Sequence, residues 1–117
     1  LNNNWIDYVG FCVDTAHLWS SGIDISDSKK AKSWINQFKL INIPHIMIAL
    51  NDEKYPLGSS RDEHSSLTKG EIWKNFNITT GFQNIEYSGF YEFIKWSIED
   101  NLPIICERNS QESIESD

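Results

Sequence analysis

Cysteine is scarce in this chain, and its two thiols, Cys12 and Cys106, stand far apart. Small secreted domains stapled by disulfides are Cys-dense, so that class is excluded. Both cysteines sit inside apolar, strand-like runs and read as small buried hydrophobes of a reducing compartment. No apolar run approaches the roughly 20 residues a helix needs to cross a bilayer. Basic residues are also few: 10 Lys and Arg face 17 Asp and Glu, for a net charge of −7. That balance argues against a simple basic footprint for nucleic acid. Clustered acidic ligands repel one another unless cations bind between them, so a bound metal cluster would still leave room for a polyanionic substrate. Repeats and low-complexity segments are absent, and so is a phosphate-binding glycine loop; Gly58 and Gly70 read as turn glycines. Ser60 and Ser66 lack a His–Asp arrangement that would support a serine hydrolase.

What is present fits one small domain. The chain has 117 residues, of which 39% are hydrophobic and 23% charged, enough for a real core. Five Trp, four Tyr and six Phe are a heavy aromatic load. The first residue is Leu, and no basic stretch with an apolar run follows it. The chain is therefore expected to be an excerpt or a processed product, intracellular and soluble (cytoplasm or nucleus). Its Asn- and Ile-rich composition points toward an AT-rich genome, a viral one among the options.

Periodicity sets the expected elements. Tyr8 to Val13 reads as a buried strand and Leu18 to Ile25 as a loop. Asp27 or Ser28 can cap a helix whose apolar residues Ala31, Trp34, Ile35 and Phe38 recur at helical spacing through about Ile41. Ile43 to Leu50 reads as a second buried strand. Asn51 to Gly70 is a long polar loop, a length that usually signals function. Glu71 to Phe76 suggests a short helix, and 77–88 an insertion. Phe90, Phe93, Ile94, Ser97 and Ile98 mark a second amphipathic helix, and Leu102 to Cys106 a third buried strand. Residues 108–117 read as a polar acidic tail. Alternating strands and helices predict an α/β fold with a parallel sheet and helices on its outer face. A closed (β/α)8 barrel takes roughly 250 residues, so the chain would supply about its last three strands with their helices. Such an excerpt leaves sheet edges and one face uncovered and is expected to be poorly stable by itself.

Three stretches carry metal-type ligands, two of them at the end of an apolar run. They are Val9 to His17, containing Asp14 and His17; Ser60 to His64, containing Asp62 and His64; and Pro103 to Glu107. Carboxylates and imidazoles just past buried strands are how a barrel enzyme builds a metal site, and this donor set suits zinc or manganese. Asp14 and His17 can be aimed into one cleft by a strand-to-helix turn. Asp62 and His64 share one side of an extended loop. Glu107 ending an apolar strand needs a partner.

Together these motifs resemble the C-terminal part of the endonuclease IV family of apurinic/apyrimidinic (AP) endonucleases, which belong to the xylose isomerase-like barrel superfamily. The resemblance runs from about Val9 to Glu107. Gly10-Phe11-Cys12-Val13-Asp14-Thr15-Ala16-His17 is similar to the family's G-x-C-x-D-T-C-H. Leu50-Asn51-Asp52-Glu53-Lys54 is similar to L-N-D-x-K, and Gly58-Ser59-Ser60-Arg61-Asp62-Glu63-His64 to G-S-x-x-D-R-H. Gly70 and Ile72 resemble the G-x-G-x-I that follows, and Pro103 to Glu107 the closing P-L-I-L-E. The resemblance implies a zinc-dependent barrel enzyme that cuts the phosphodiester 5′ to abasic sites in double-stranded DNA, in base excision repair. It implies that His17, Asp62 and His64 hold one zinc and that Asp14 and Glu107 contribute to a second and serve catalysis. The intact family holds up to three zinc ions; one site is complete in this chain, and manganese is an option. Bound metal would grip phosphate oxygens, generate hydroxide from water and stabilise the leaving oxygen. Arg61, Lys54 and Asn51 are the DNA-binding candidates. Asn51 and Asp52 fit a turn or the site floor equally well, as Lys54 fits a phosphate contact or plain solvation. Trp19 is better read as core than as a base-stacking platform.

Two departures stand out. The family's His before L-N-D is Ala49 here, and His45 lies four strand residues away, too far to replace it. The family's Arg between the loop Asp and His is Glu63, which removes a phosphate-attracting charge. The family's other ligands lie on earlier strands, so the missing N-terminal barrel half is an expected partner. Alternative readings are a metal-dependent sugar isomerase or epimerase of the same superfamily, or a degenerate, non-catalytic homologue.

Overall fold

The computed structural model describes residues 10–74 and 87–106. The element order is β1 (Gly10–Asp14), α1 (Thr15–Ser20), α2 (Ser28–Lys39), β2 (His45–Ala49), β3 (Asp52–Glu53), β4 (His64–Ser65), α3 (Gly89–Glu99) and β5 (Ile104–Ile105). Strands β1, β2 and β5 form a parallel sheet in that order. The expected α/β architecture with a parallel sheet is therefore present. β3 and β4 pair as a separate antiparallel ladder within the long loop.

Both long helices begin where side chains satisfy their first amides. Asp27 accepts from Lys30 N at 2.8 Å to start α2, and Ser88 Oγ accepts from Phe90 N at 3.1 Å to start α3. Ala31, Ile35 and Phe38 line the buried stripe of α2; Phe93 and Trp96 do so for α3. Trp34 stacks on Phe38 with centroids 5.2 Å apart, and Phe38 meets Trp96 edge-on at 5.8 Å. These rings join Val13 and Ile48 of the sheet, Trp19 and Trp73 in one core. Trp19 is thus a core residue, tied by its indole N–H to Tyr55 O at 3.0 Å. Gly89 is required by close approach: an added Cβ would run into the Ile25 carbonyl.

The strands are less buried than their apolar runs suggested. In β1 only Val13 is buried, with Gly10, Phe11 and Cys12 exposed; Ile104 and Ile105 of β5 are exposed too. Cys12 and Cys106 are likewise exposed, which corrects the expectation of buried thiols. The reason is geometric. Helices cover one face of the sheet, whereas among the described residues nothing pairs with the outer edge of β1. A sheet flanked on both faces needs more elements than these. Two boundaries also move. Leu18 to Ser20 belong to α1 rather than to a loop, because Asp14 caps that helix, and residues 71–74 form turns rather than a helix. The inferred insertion lies outside the described residues except for Tyr87 and Ser88, as does the 108–117 tail.

Candidate metal centre

The parallel register brings the motif-bearing segments to one end of the sheet. Asp14, the last residue of β1, sits opposite Ala49, the last of β2, and Ile105 of β5 is the other neighbour of Ala49. Asp14 also begins α1. Its Oδ1 accepts from Ala16 N at 3.0 Å, from His17 N at 3.3 Å and from Asn51 Nδ2 at 3.3 Å. With Oδ1 so occupied, Oδ2 is turned toward His64, 3.9 Å from its Nε2. The Nε2 of His64 lies 3.5 Å from Asp62 Oδ1, and Asp62 Oδ2 lies 3.6 Å from His17 Nδ1. One donor atom each from Asp14, Asp62 and His64 falls within 4.8 Å of the others. The His64 side chain is only 7% exposed, whereas that of His17 is 70% exposed at the rim. His17, Asp62, His64 and Asp14 are thus brought together; Glu107 lies outside the described residues.

Polar staples fix this end. The Thr15 hydroxyl donates to Asn51 O at 2.7 Å and accepts from Asn51 N at 2.8 Å, tying the start of α1 to the chain leaving β2. Trp73 Nε1 donates to the same carbonyl at 2.9 Å. Asn51 is 1% exposed and donates its side-chain amide to Asp14, the site-floor position its motif also allowed. Asp52 is fully buried: Oδ1 accepts from the backbone N–H groups of Glu53, Ile72 and Trp73, and Oδ2 from Gly70 at 2.9 Å. Glu53, also fully buried, gathers the N–H groups of Lys54, Tyr55 and Glu63. Burial pushes both carboxyls above the ordinary range against the pull of these donors, and for Glu53 a hydrogen bond with Asp62 adds to the rise. Thr15 and Glu53 stand inside the quoted motifs but drew no role from them. The signal for Glu53 was an acidic pair one residue beyond the apolar run 46–50.

Charged side chains rim the loop. Lys54 Nζ lies 3.1 Å from Glu63 Oε1, and Arg61 sits over the Tyr55 ring, 3.9 Å from its centroid. His45 is at the other end of β2, opposite Gly10, away from the cluster.

No family model matches the chain. Individual relatives do. It is 38% identical over 119 residues to a protein named probable AP endonuclease from African swine fever virus (isolate Tick/Malawi/Lil 20-1/1983), an overlap of 98% of this chain and 38% of that protein. Probable endonuclease 4 of Mycoplasmopsis agalactiae is 35% identical over 102 residues, 86% of this chain and 31% of that protein. A solved structure titled "The crystal structure of AsfvAP:AG" superposes with a TM-score of 0.80 at 40% identity, covering 92% of this chain and 36% of that one. Over most of its length the chain matches a segment of endonuclease IV family proteins. It spans under two fifths of the length of the relatives it matches. Ala49, the register partner of Asp14, is fully buried and offers no side-chain donor beside the cluster. Among the described residues no helix is long and apolar enough to cross a membrane.

Proposed function

We propose that this chain carries part of the metal centre of an endonuclease that hydrolyses DNA 5′ to abasic sites. In this reading it supplies the last three strands and helices of a (β/α)8 barrel, and the remaining strands come from further chain. The carrying observation is the convergence of Asp14 at the end of β1 with Asp62 and His64 of the distant long loop, one donor atom from each lying within 4.8 Å of the others. The donor chemistry fits a divalent ion. Two carboxylates and an imidazole nitrogen are borderline-hard ligands suited to zinc or manganese. Asp14, Asp62 and His64 would hold the ion, with His17 adding a fourth donor from the rim and Glu107 assigned to a second ion from its motif. When bound, the metal supplies Lewis acidity toward the phosphate oxygens and the attacking water.

The protein's own part is preorganisation. Helix amides and Asn51 occupy one oxygen of Asp14 and aim the other. Glu53 anchors the segment that carries Asp62 and His64 through the Glu63 amide. Ligands oriented this way keep their geometry as substrate arrives. The names of the relatives support the abasic-site assignment.

The test is a denaturing-gel assay of zinc- or manganese-loaded protein, including the rest of its barrel, on a duplex with one abasic site. The expected result is a nick 5′ to the lesion, reduced at least about 100-fold by His64→Ala. Loaded protein that leaves the duplex intact would overturn the reading. Duplex binding without cutting would then favour the non-catalytic alternative, for which Ala49 beside Asp14 is the specific observation. Ketose turnover would favour an isomerase.

A further inference from the structure

We infer that Lys54, Tyr55 and Arg61 form a phosphate subsite beside the metal cluster, and that the chain's own Glu63 carboxylate occupies it as a built-in competitor. The inference rests on the DNA-cutting reading above and names a contact that regulates it. Glu63 stands between Asp62 and His64 in sequence but does not point with them. Its Oε1 lies 3.1 Å from Lys54 Nζ, and its Oε2 accepts from the Tyr55 hydroxyl at 3.1 Å. That hydroxyl in turn accepts from Arg61 Nη2 at 3.0 Å, while the guanidinium lies over the Tyr55 ring. An ammonium, a phenol O–H and a stacked guanidinium around one anionic group are the donors that grip a phosphate. The Glu63 backbone is pinned as well: its N–H donates to both Glu53 oxygens at 3.0 Å, and its carbonyl accepts from Lys54 N at 2.9 Å. The carboxylate is therefore held against its partners by the ladder rather than by chance of a long side chain. Lys54 and Glu63 remain 59% and 45% exposed, open to an incoming backbone phosphate.

A phosphate must displace or tolerate this carboxylate, so Glu63 weakens duplex binding. Fluorescence anisotropy tests this in EDTA, which prevents cutting, with a duplex holding one abasic-analogue site titrated over a range of salt. Glu63→Gln is expected to tighten binding about five- to tenfold at ~0.1 M salt and to steepen the log K against log salt slope by about 0.9, the signature of one added phosphate contact. Adding Lys54→Gln should abolish that gain. Glu99→Gln removes an equal charge from a surface carboxylate near Lys95 on α3. It should move affinity less than about twofold. Equal effects of Glu63→Gln and Glu99→Gln, a gain that survives Lys54→Gln, or no duplex binding by any variant would overturn the inference. The two readings fail separately. Nicking by loaded protein with no Glu63 effect removes only the built-in competitor. A clear Glu63 effect with no nicking removes only the nuclease.

Discussion

The helix-covered side of the sheet and the loop-covered end of it are built by different physics. On the helix side, aromatic and aliphatic side chains from α2, α3, β1 and β2 fill the space between layers, and shape fixes their places. At the strand ends, the loop from Asn51 to Gly70 is held by buried carboxylates that collect backbone amides, four for Asp52 and three for Glu53. Apolar packing tolerates small adjustments. A buried carboxylate fixes each donor it binds and penalises any it loses. The stable layer therefore rests on packing, whereas the chemistry sits on a frame of directional bonds.

Substitutions on the two sides should separate stability from metal affinity. Phe93→Ala removes a fully buried ring from the helix layer and should cost about 3–5 kcal/mol by urea denaturation, while leaving divalent-ion affinity of the folded protein within about threefold. A large drop in affinity would show that the two regions are one unit. Asp52→Asn places an amide N–H against the Gly70 N–H and should cost about 1–3 kcal/mol. Unlike Phe93→Ala, it should weaken ion binding at least about tenfold. It also changes the pH profile. Because burial raises the Asp52 carboxyl in the folded state, this group stabilises the fold fully below its unfolded pKa. That contribution is lost as pH rises through the folded value. Asp52→Asn should remove this declining component above about pH 4, measured by denaturation at a series of pH values. Thr15→Val deletes the two bonds to Asn51 and should have the smallest effect, about 1–2 kcal/mol, with a modest fall in ion affinity. No change in either quantity would mean that this staple does not position the cluster.

The same contrast explains what the sequence disclosed. Ala31, Ile35 and Phe38 repeat at helical spacing, so α2 and its Asp27 cap could be read directly. Strand burial could not, because an apolar run such as Gly10 to Val13 shows how a strand is suited to be covered, not which face this chain covers. Asp14 and His17 stood out by residue type just past the first strand, and Asp62 and His64 in the long loop; the fold brings them together. The supporting frame stayed hidden, since amides donated to Asp52 and Glu53 come from positions such as Gly70 and Trp73 that carry no local pattern. Asn51 was open to a DNA contact, a turn or the site floor; its burial and its bond to Asp14 fit the floor.

Isothermal titration of the metal-free protein with zinc or manganese, comparing wild type with Asp14→Asn, Asp62→Asn, His64→Ala and His45→Ala, reads the cluster most directly. The expected outcome is one ion bound through these donors, with affinity lost at least about tenfold in each of the first three variants and unchanged in His45→Ala, at the far end of β2. Binding that survives the three substitutions, or that falls as much with His45→Ala, would contradict a metal centre at the strand ends.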